Sequence, residues 1–342
     1  MEIIDTIKIM APEITETIEK RYLILNHIFQ NQPIGRRALS LDLDLRERNV
    51  RDEVTVLKNQ GLININSKGM YIERKGIVVL RELKDIYISL KGIPQLEKRL
   101  KEKLNILDVL IIPGDSNENK SVLKEMGNTT FKILKENIQY QDIIGITGGN
   151  TMASVVEEIK PDKKNRELIV IPARGGLGKD LNTQSNSIAA KLAQGLGGNY
   201  RLLYIPDSLE EEAMEYMLKN EEISQSINLI NNMNILVFGI GRADTMAERR
   251  NLSEDRIKEL IEGGAVAEAF GHYFNINGKE IWEYKTIGLS LDKFKDLHNL
   301  IGVAGGEEKA EAIFSVSSLN KNMILVTDES AARKIEELVQ KL

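Results

Sequence analysis

The sequence predicts an α/β protein, a doubly wound, mostly parallel sheet, carrying a winged helix-turn-helix head at its N-terminus. Three observations predict this. From about residue 105, apolar strand-like runs alternate with stretches of helical spacing, the order of a parallel sheet covered on both faces. Three of these runs end in glycine turns: GITGGNTM at Gly145–Met152, Ala173-Arg174-Gly175-Gly176 and Gly239-Ile240-Gly241-Arg242. Such turns fall at the carboxyl edge of a sheet, where ligands bind. Finally, the first 75 residues read as three helices and a hairpin.

In the head, residues 14–31 repeat Ile18, Tyr22, Leu25, Ile28 and Phe29 at spacings of three and four, which predicts a helix that Pro33 and Gly35 end. A short helix follows from Arg36 to Leu41. A longer one runs from Arg46 to Gln60, with Val50, Val54 and Leu57 on one face and Gly61 as its stop. Residues 62–66 and 70–72 flank Ser67-Lys68-Gly69 as a hairpin. The domains expected are 1–75 for the head, 76–104 for linker helices and 105–342 for the body. On the linker, Leu80, Leu83, Tyr87 and Leu90 form one apolar stripe and Leu96, Leu100 and Leu104 another, with Gly92 and Pro94 between. Such stripes are either core packing or a face for a partner helix.

In the body, strands are expected at Val109–Pro113, Ile143–Thr147, Leu168–Pro172, Leu202–Pro206, Ile235–Gly239 and Met323–Thr327. Helices are expected at Leu123–Glu136, Met152–Ile159 and Ser187–Leu196.

Composition narrows the chemistry. The 342 residues contain no cysteine, which excludes disulfides and thiolate metal sites, and only His27, His272 and His298 offer imidazole. These are scattered and lack an obvious acidic partner in sequence, so no metal site is expected. No secretory leader pattern and no membrane-spanning apolar run is present, and a cytoplasmic location is expected. Residues 1–80 hold 12 Lys+Arg against 11 Asp+Glu, net +1, leaving 34 against 40, net −6, for the remainder, so the acidic excess lies outside the head. A DNA-binding head on an acidic body fits this balance, as does a two-domain enzyme with ordinary charge scatter.

The second helix of a helix-turn-helix enters the major groove by its N-terminal part. Here Arg46, Arg48 and Arg51 suit phosphates or guanine edges, and Asn49 suits an adenine edge. Arg36, Arg37 and Lys68 suit backbone phosphates. The alternative is a solvated face on which Glu47, Asp52 and Glu53 pair with these arginines.

In the body, a strand, a glycine turn and a helix start leave backbone amides for a phosphate at Gly148, Gly149, Asn150 and Thr151. Arg174 is a cation beside that cradle, or else a surface arginine in a loop. Gln184 suits a sugar hydroxyl, while Thr183 and Ser185 serve equally as helix caps. Arg242, Arg249 and Arg250 cluster after a strand; one of them suits a second phosphate. Glu268 lies in a small, apolar run that implies a buried hydrogen-bonding role. Lys309 opens a helix after a glycine turn and is either a phosphate cation or a solvated lysine. No nucleophile, metalloprotease or phosphate-loop lysine motif appears, so no catalytic residue is assigned; Asp244 and Glu268 could in principle serve as acid and base for sugar isomerisation.

This combination resembles the SorC family of bacterial sugar-responsive repressors, along essentially the whole chain. The resemblance rests on GITGGNTM, the run Ile171–Gly178 (IPARGGLG), Gly239–Arg250 (GIGRADTMAERR) and Val303–Ile313 (VAGGEEKAEAI). It implies a body folded like the sugar-phosphate isomerases and glucosamine-6-phosphate deaminase. It also implies a homodimeric or homotetrameric repressor of an operon for triose-phosphate metabolism, held on double-stranded operator DNA and released by fructose-1,6-bisphosphate. Under that resemblance Gly148, Gly149, Asn150 and Thr151 cradle one phosphate with Arg174 nearby. Arg249 and Lys309 meet the other phosphate, and Gln184 and Glu268 hold hydroxyls. Asn150 stands where a second threonine is expected, and Arg46 where a serine or threonine helix cap is usual. The competing reading is a sugar-phosphate isomerase or deaminase with an accessory N-terminal domain.

Overall fold

The computed structural model describes residues 3–157, 159, 161–162, 166–177, 180–205 and 211–341. Glu158, Gly178 and Pro206, which fall within stretches read above, lie outside the described residues. The chain divides into two compact units, Met1–Gln95 and Leu96–Leu342.

The first unit opens with α1 (Ile3–Met10), which the sequence reading did not anticipate, and continues through α2 (Pro12–Asn31), α3 (Arg36–Asp42) and α4 (Glu47–Asn59). Strands β1 (Ile63–Asn66) and β2 (Gly69–Ile72) pair antiparallel as the wing, and α5 (Arg74–Leu90) follows. Val50, Val54 and Leu57 of α4 enter a core with Tyr22, Leu25, Ile28 and Leu39. Leu80 and Tyr87 of α5 enter the same core, with Leu83 packed against it, and the Tyr87 ring stacks on Tyr22 at 4.2 Å. Leu80, Leu83 and Tyr87 of the first linker stripe are therefore core packing within their own unit. Glu53, expected among the partners of the recognition arginines, pairs instead with Arg21 at 2.7 Å and Lys20 at 3.3 Å on α2.

α6 (Ile93–Leu104) leads to the body. There the order is β3 (Asp108–Ile112), α7 (Lys120–Asn137), β4 (Ile143–Ile146), α8 (Asn150–Val156), β5 (Ile169–Pro172), α9 (Ser185–Leu196) and β6 (Asn199–Tyr200). Next come α10 (Glu211–Leu218), α11 (Glu221–Asn231), β7 (Ile235–Gly239), β8 (Gly241–Arg242), α12 (Ala243–Arg249) and α13 (Glu254–Glu262). The chain ends with β9 (Ala265–Ala269), β10 (His272–Asn275), β11 (Glu280–Glu283), α14 (Leu291–Asp296), β12 (Asn299–Val303), α15 (Ala310–Ser317), β13 (Met323–Asp328) and α16 (Glu329–Lys341).

Seven strands form a parallel sheet in the order β3-β13-β12-β7-β4-β5-β6. From β4 the chain builds outward through β5 and β6; from β7 it builds the other way through β12 and β13. The direction therefore reverses between β4 and β7. Ile144 and Ile146 of β4 pack with Met126, Leu134, Val155, Ile188 and Leu192 of the flanking helices.

Three features depart from the sequence reading. The strand expected at Leu202–Pro206 is not formed: β6 stops at Tyr200, and Leu203 binds the Asn186 side chain through both its N–H (2.9 Å) and its C=O (3.1 Å). An amide side chain thus replaces the ladder. Strand β12, in the interior of the sheet, was missed because Gly302 interrupts a short apolar run. A Cβ there would stand 2.9 Å from Met323 Sδ, so the glycine answers to packing rather than to a turn. A second, antiparallel sheet in the order β11-β10-β9-β8 was also unforeseen. No helix among the described residues is long and apolar enough to cross a membrane.

Candidate effector site

The point between β4 and β7 where the chain reverses is where an open α/β sheet leaves a crevice at its carboxyl edge. Thr147, at the end of β4, joins the two strands by accepting the Gly239 amide on Oγ1 at 3.0 Å. The loops beyond β4, β5, β7 and β12 border a cavity of about 490 Å³, within the range of roughly 300–1,000 Å³ usual for small-molecule sites.

The loop after β4 supplies Gly148, Gly149, Asn150 and Thr151 to the cavity wall, but its glycines serve a different purpose from the one expected. A Cβ on Gly148 would lie 2.6 Å from the Thr183 carbonyl oxygen, and Gly149 has φ +109°. The Gly149 amide donates to the same Thr183 carbonyl at 2.9 Å. Both glycines therefore let the loop fold against residue 183, and the Gly149 amide is withdrawn from the expected cradle. The α8 helix spans seven residues and carries no side-chain cap, so the amides of Asn150 and Thr151 remain at its start. The helix begins two residues earlier than the expected Met152–Ile159 element, so Asn150 and Thr151 lie in its first turn.

Arg174 is no surface arginine. It is 7 % exposed, and its Nη1 donates to Glu268 Oε1 at 3.2 Å. The same oxygen accepts Arg250 Nη2 at 2.8 Å and the Gly271 amide at 2.6 Å. Burial pushes the Glu268 pKa up, but Arg250, Arg174 and the Gly271 amide outweigh it and hold the carboxyl below the ordinary value. Among the described residues Oε2 has no hydrogen-bond partner, and Glu268 borders the cavity. Glu268 is thus an ionised acceptor on the cavity wall, held by two guanidiniums. Arg250 is only one of a cluster by residue type, and the resemblance singles out Arg249 instead. The structure separates the two: Arg249 borders the cavity, whereas Arg250 turns inward over the Tyr284 ring at 5.1 Å.

Lys309 borders the cavity from the turn after β12, along with Arg242 and Glu308. Burial pulls the Lys309 pKa below the ordinary ammonium value; Glu308 and Asp328 oppose that shift, and Arg249 and Arg242 reinforce it. Arg242 pairs with Asp244, which holds the Asp244 carboxyl down against its partial burial. Gln184 does not join the cavity wall among the described residues. It is the N-cap position of α9, and its Nε2 reaches the Leu177 carbonyl at 3.5 Å. The cavity therefore brings together Gly148, Gly149, Asn150, Thr151, Arg174, Arg249, Glu268 and Lys309 and leaves Gln184 outside its wall.

In the first unit, Arg36, Arg37, Arg46, Arg48, Asn49, Arg51 and Lys68 are all exposed. Arg51 lies 3.6 Å from Asp52, with both side chains in solvent. Two of the three histidines have acidic partners that the sequence hid: His27 Nε2 lies 2.9 Å from Asp42, and His272 Nδ1 lies 2.8 Å from Glu280. His272, Glu280 and Glu283 offer ligand atoms within 4.8 Å of one another on β10 and β11, and His272 and Glu280 make a cross-strand hydrogen bond there.

The chain matches two family models: a sugar-binding domain over residues 89–336 and the CggR N-terminal DNA binding domain over residues 17–87. It is 40 % identical over 334 residues to the central glycolytic genes regulator of Bacillus subtilis, covering 98 % of each chain. It is 40 % identical over 327 residues to the protein of the same name from Priestia megaterium, covering 95 % of this chain and 96 % of that one. Among solved structures, a SorC-family transcriptional regulator from Enterococcus faecalis superimposes with TM-score 0.67 at 36 % identity, over 71 % of this chain and 99 % of that one. The full-length sorbitol operon regulator SorC of Klebsiella pneumoniae shares the fold, with TM-score 0.66 at 18 % identity over 93 % of this chain and 97 % of that one.

Proposed function

The chain belongs to the SorC family of sugar-binding transcriptional regulators, and from that premise we propose that it is a repressor of a glycolytic, triose-phosphate operon whose grip on operator DNA is released by fructose-1,6-bisphosphate. The observation that carries this reading is the convergence of Arg174, Arg249 and Lys309 on one cavity whose wall also holds the ionised Glu268. Three cations match two phosphates, each close to doubly charged, and Glu268 Oε2 is an acceptor for a sugar hydroxyl. The two relatives at 40 % identity are named for central glycolytic genes, which supports the choice of operon.

In this reading the loop of Gly148, Asn150 and Thr151 takes one phosphate beside Arg174, and Arg249 and Lys309 take the other. Gly149 shapes the loop, and Gln184, outside the cavity wall, drops out of the hydroxyl contacts. The exposed Arg36, Arg37, Arg46, Arg48, Asn49, Arg51 and Lys68 meet DNA, in a homodimer or homotetramer. Release requires only linkage: the ligand binds the DNA-incompetent state better, by about 1–3 kcal/mol for a typical coupling. Asp244 and Glu268, the acid–base pair an isomerase or deaminase would use, are each held by arginine, which favours the regulator over the enzyme. Filter binding to the chain's own operator region, with and without fructose-1,6-bisphosphate, is the test. Weaker retention with the sugar is expected; identical retention would defeat the proposal.

A further inference from the structure

Asp328 ends β13 with no exposure to solvent. Its Oδ2 accepts the Ser116 amide at 2.8 Å, the Ser116 hydroxyl at 2.5 Å and the Gly306 amide at 2.8 Å. Its Oδ1 accepts the Ala331 amide at 2.9 Å and the Ser330 hydroxyl at 3.2 Å. One carboxylate thus joins the loop after β3, the first turn of α16 and the glycine turn after β12 that carries Lys309. The turn fits closely around it: a Cβ on Gly305 would stand 2.6 Å from Asp328 Oδ2 and 2.5 Å from Ser116 Oγ. Beyond the turn, Asn117 donates to Glu308 Oε2 at 2.6 Å, which ties the loop after β3 to the residue beside Lys309.

We propose that Asp328, itself outside the cavity wall, is the positioning residue that sets the place and charge of Lys309, and through Lys309 the preference of the pocket for a ligand with a second phosphate. This rests on the phosphosugar reading of the pocket. Two effects act together. The hydrogen bond to Gly306 fixes the start of the turn, so the Lys309 stem leaves from one place. The buried negative charge also keeps the ammonium protonated where burial and two arginines disfavour it. The charged groups acting on Lys309 are Glu308 and Asp328, which raise its pKa, and Arg249 and Arg242, which lower it. Removing the Asp328 charge leaves Glu308 alone against burial and both arginines, so the lysine loses its proton at lower pH. A ligand with a single phosphate in the loop after β4 does not use Lys309 and is indifferent to the change.

The experiment uses the full-length chain with Asp328→Asn and Gly305→Ala. The second variant keeps the carboxylate and pushes the turn off it. In the ligand-free protein, competitive acetylation of Lys309 is followed by mass spectrometry across pH. The expected result is a midpoint displaced to lower pH in Asp328→Asn; an unmoved midpoint overturns the proposal, whatever the ligand. Calorimetry then compares fructose-1,6-bisphosphate with fructose-6-phosphate. A loss of about tenfold for the bisphosphate, the scale of one charge-assisted hydrogen bond, is expected with little change for the monophosphate. Equal losses for both ligands would make Asp328 merely structural and overturn the assignment. If the unsubstituted chain binds neither sugar, the phosphosugar reading fails, while the acetylation profile still decides whether Asp328 governs Lys309. If Asp328→Asn does not fold, Gly305→Ala is read by both measurements, with loss of bisphosphate preference expected and unchanged preference overturning the proposal.

Discussion

Arg250 donates to Glu268 at 2.8 Å with 1 % and 3 % of the two side chains exposed, so the wall of the cavity contains a nearly dry ion pair that Arg174 extends to a triad. Breaking such a pair from one side strands a buried charge. Replacing Glu268 by Gln should therefore destabilise the body by about 3–5 kcal/mol, measured by urea unfolding at neutral pH. The folded carboxyl titrates below its unfolded value, so its contribution is complete above about pH 4.5 and is lost as pH falls through the folded value. The unsubstituted chain should lose stability in that acid window more steeply than Glu268→Gln. Parallel acid limbs would mean the triad does not hold the charge.

Lys309 separates ligand affinity from folding more cleanly than Arg174. Lys309→Met removes an ammonium that burial already disfavours, so the melting temperature should hold or rise. Affinity for fructose-1,6-bisphosphate should fall by about 10- to 100-fold, from the roughly 1.5–3 kcal/mol of a hydrogen bond to a charged group. Arg174→Ala should weaken the ligand and the fold together, because it strips one partner from buried Glu268. Calorimetry and melting curves on both variants check the contrast; undiminished affinity in Lys309→Met would remove this lysine from the site.

Proton uptake should accompany binding at alkaline pH. The phosphates are already ionised well above their second pKa of roughly 6, while the lowered Lys309 value leaves part of the lysine neutral as pH rises. Binding favours the charged amine, so affinity should decline with rising pH. The binding enthalpy should also depend on the ionisation heat of the buffer. Lys309→Arg should abolish that dependence, since arginine keeps its proton throughout.

On the head, Arg48 is exposed near the start of α4, and no acidic partner is recorded for it among the described residues. Arg48→Ala should weaken operator binding. A phosphate contact would lower the salt slope by about one, whereas a guanine contact would cost about 1–3 kcal/mol at one base pair. Gel shifts across a salt series distinguish these outcomes, and unaltered shifts would take this helix out of the groove.

Local periodicity made the head legible. Val50, Val54 and Leu57 lie one turn apart, so one buried face follows from spacing alone, and the wing follows from two apolar runs around Ser67-Lys68-Gly69. Five strands of the parallel sheet, β3, β4, β5, β7 and β13, were legible as short apolar runs. Gly302 hid β12, since a glycine in a short apolar run reads as a break until Met323 is seen against it. The Asn186 side chain likewise takes the place of the strand expected at Leu202–Pro206. In the cavity, the glycine turns, Arg174, Glu268 and Lys309 stood out by residue type near strand ends, whereas Arg249 was singled out from its neighbours only by the family resemblance.

By itself the sequence determined the three helices and wing of the head, five strands of the parallel sheet, the glycine turns at strand ends, and which side chains carry the charge for an anionic ligand. Those properties depend on neighbours a few positions away. Only the tertiary structure decided that Gly148 and Gly149 answer to Thr183, that Arg250 turns inward while Arg249 faces the cavity, and that Asp328 lies beneath the turn bearing Lys309. Each of those depends on which distant backbone or carboxylate occupies the adjacent space, and close packing across a sheet leaves no periodic trace in the chain.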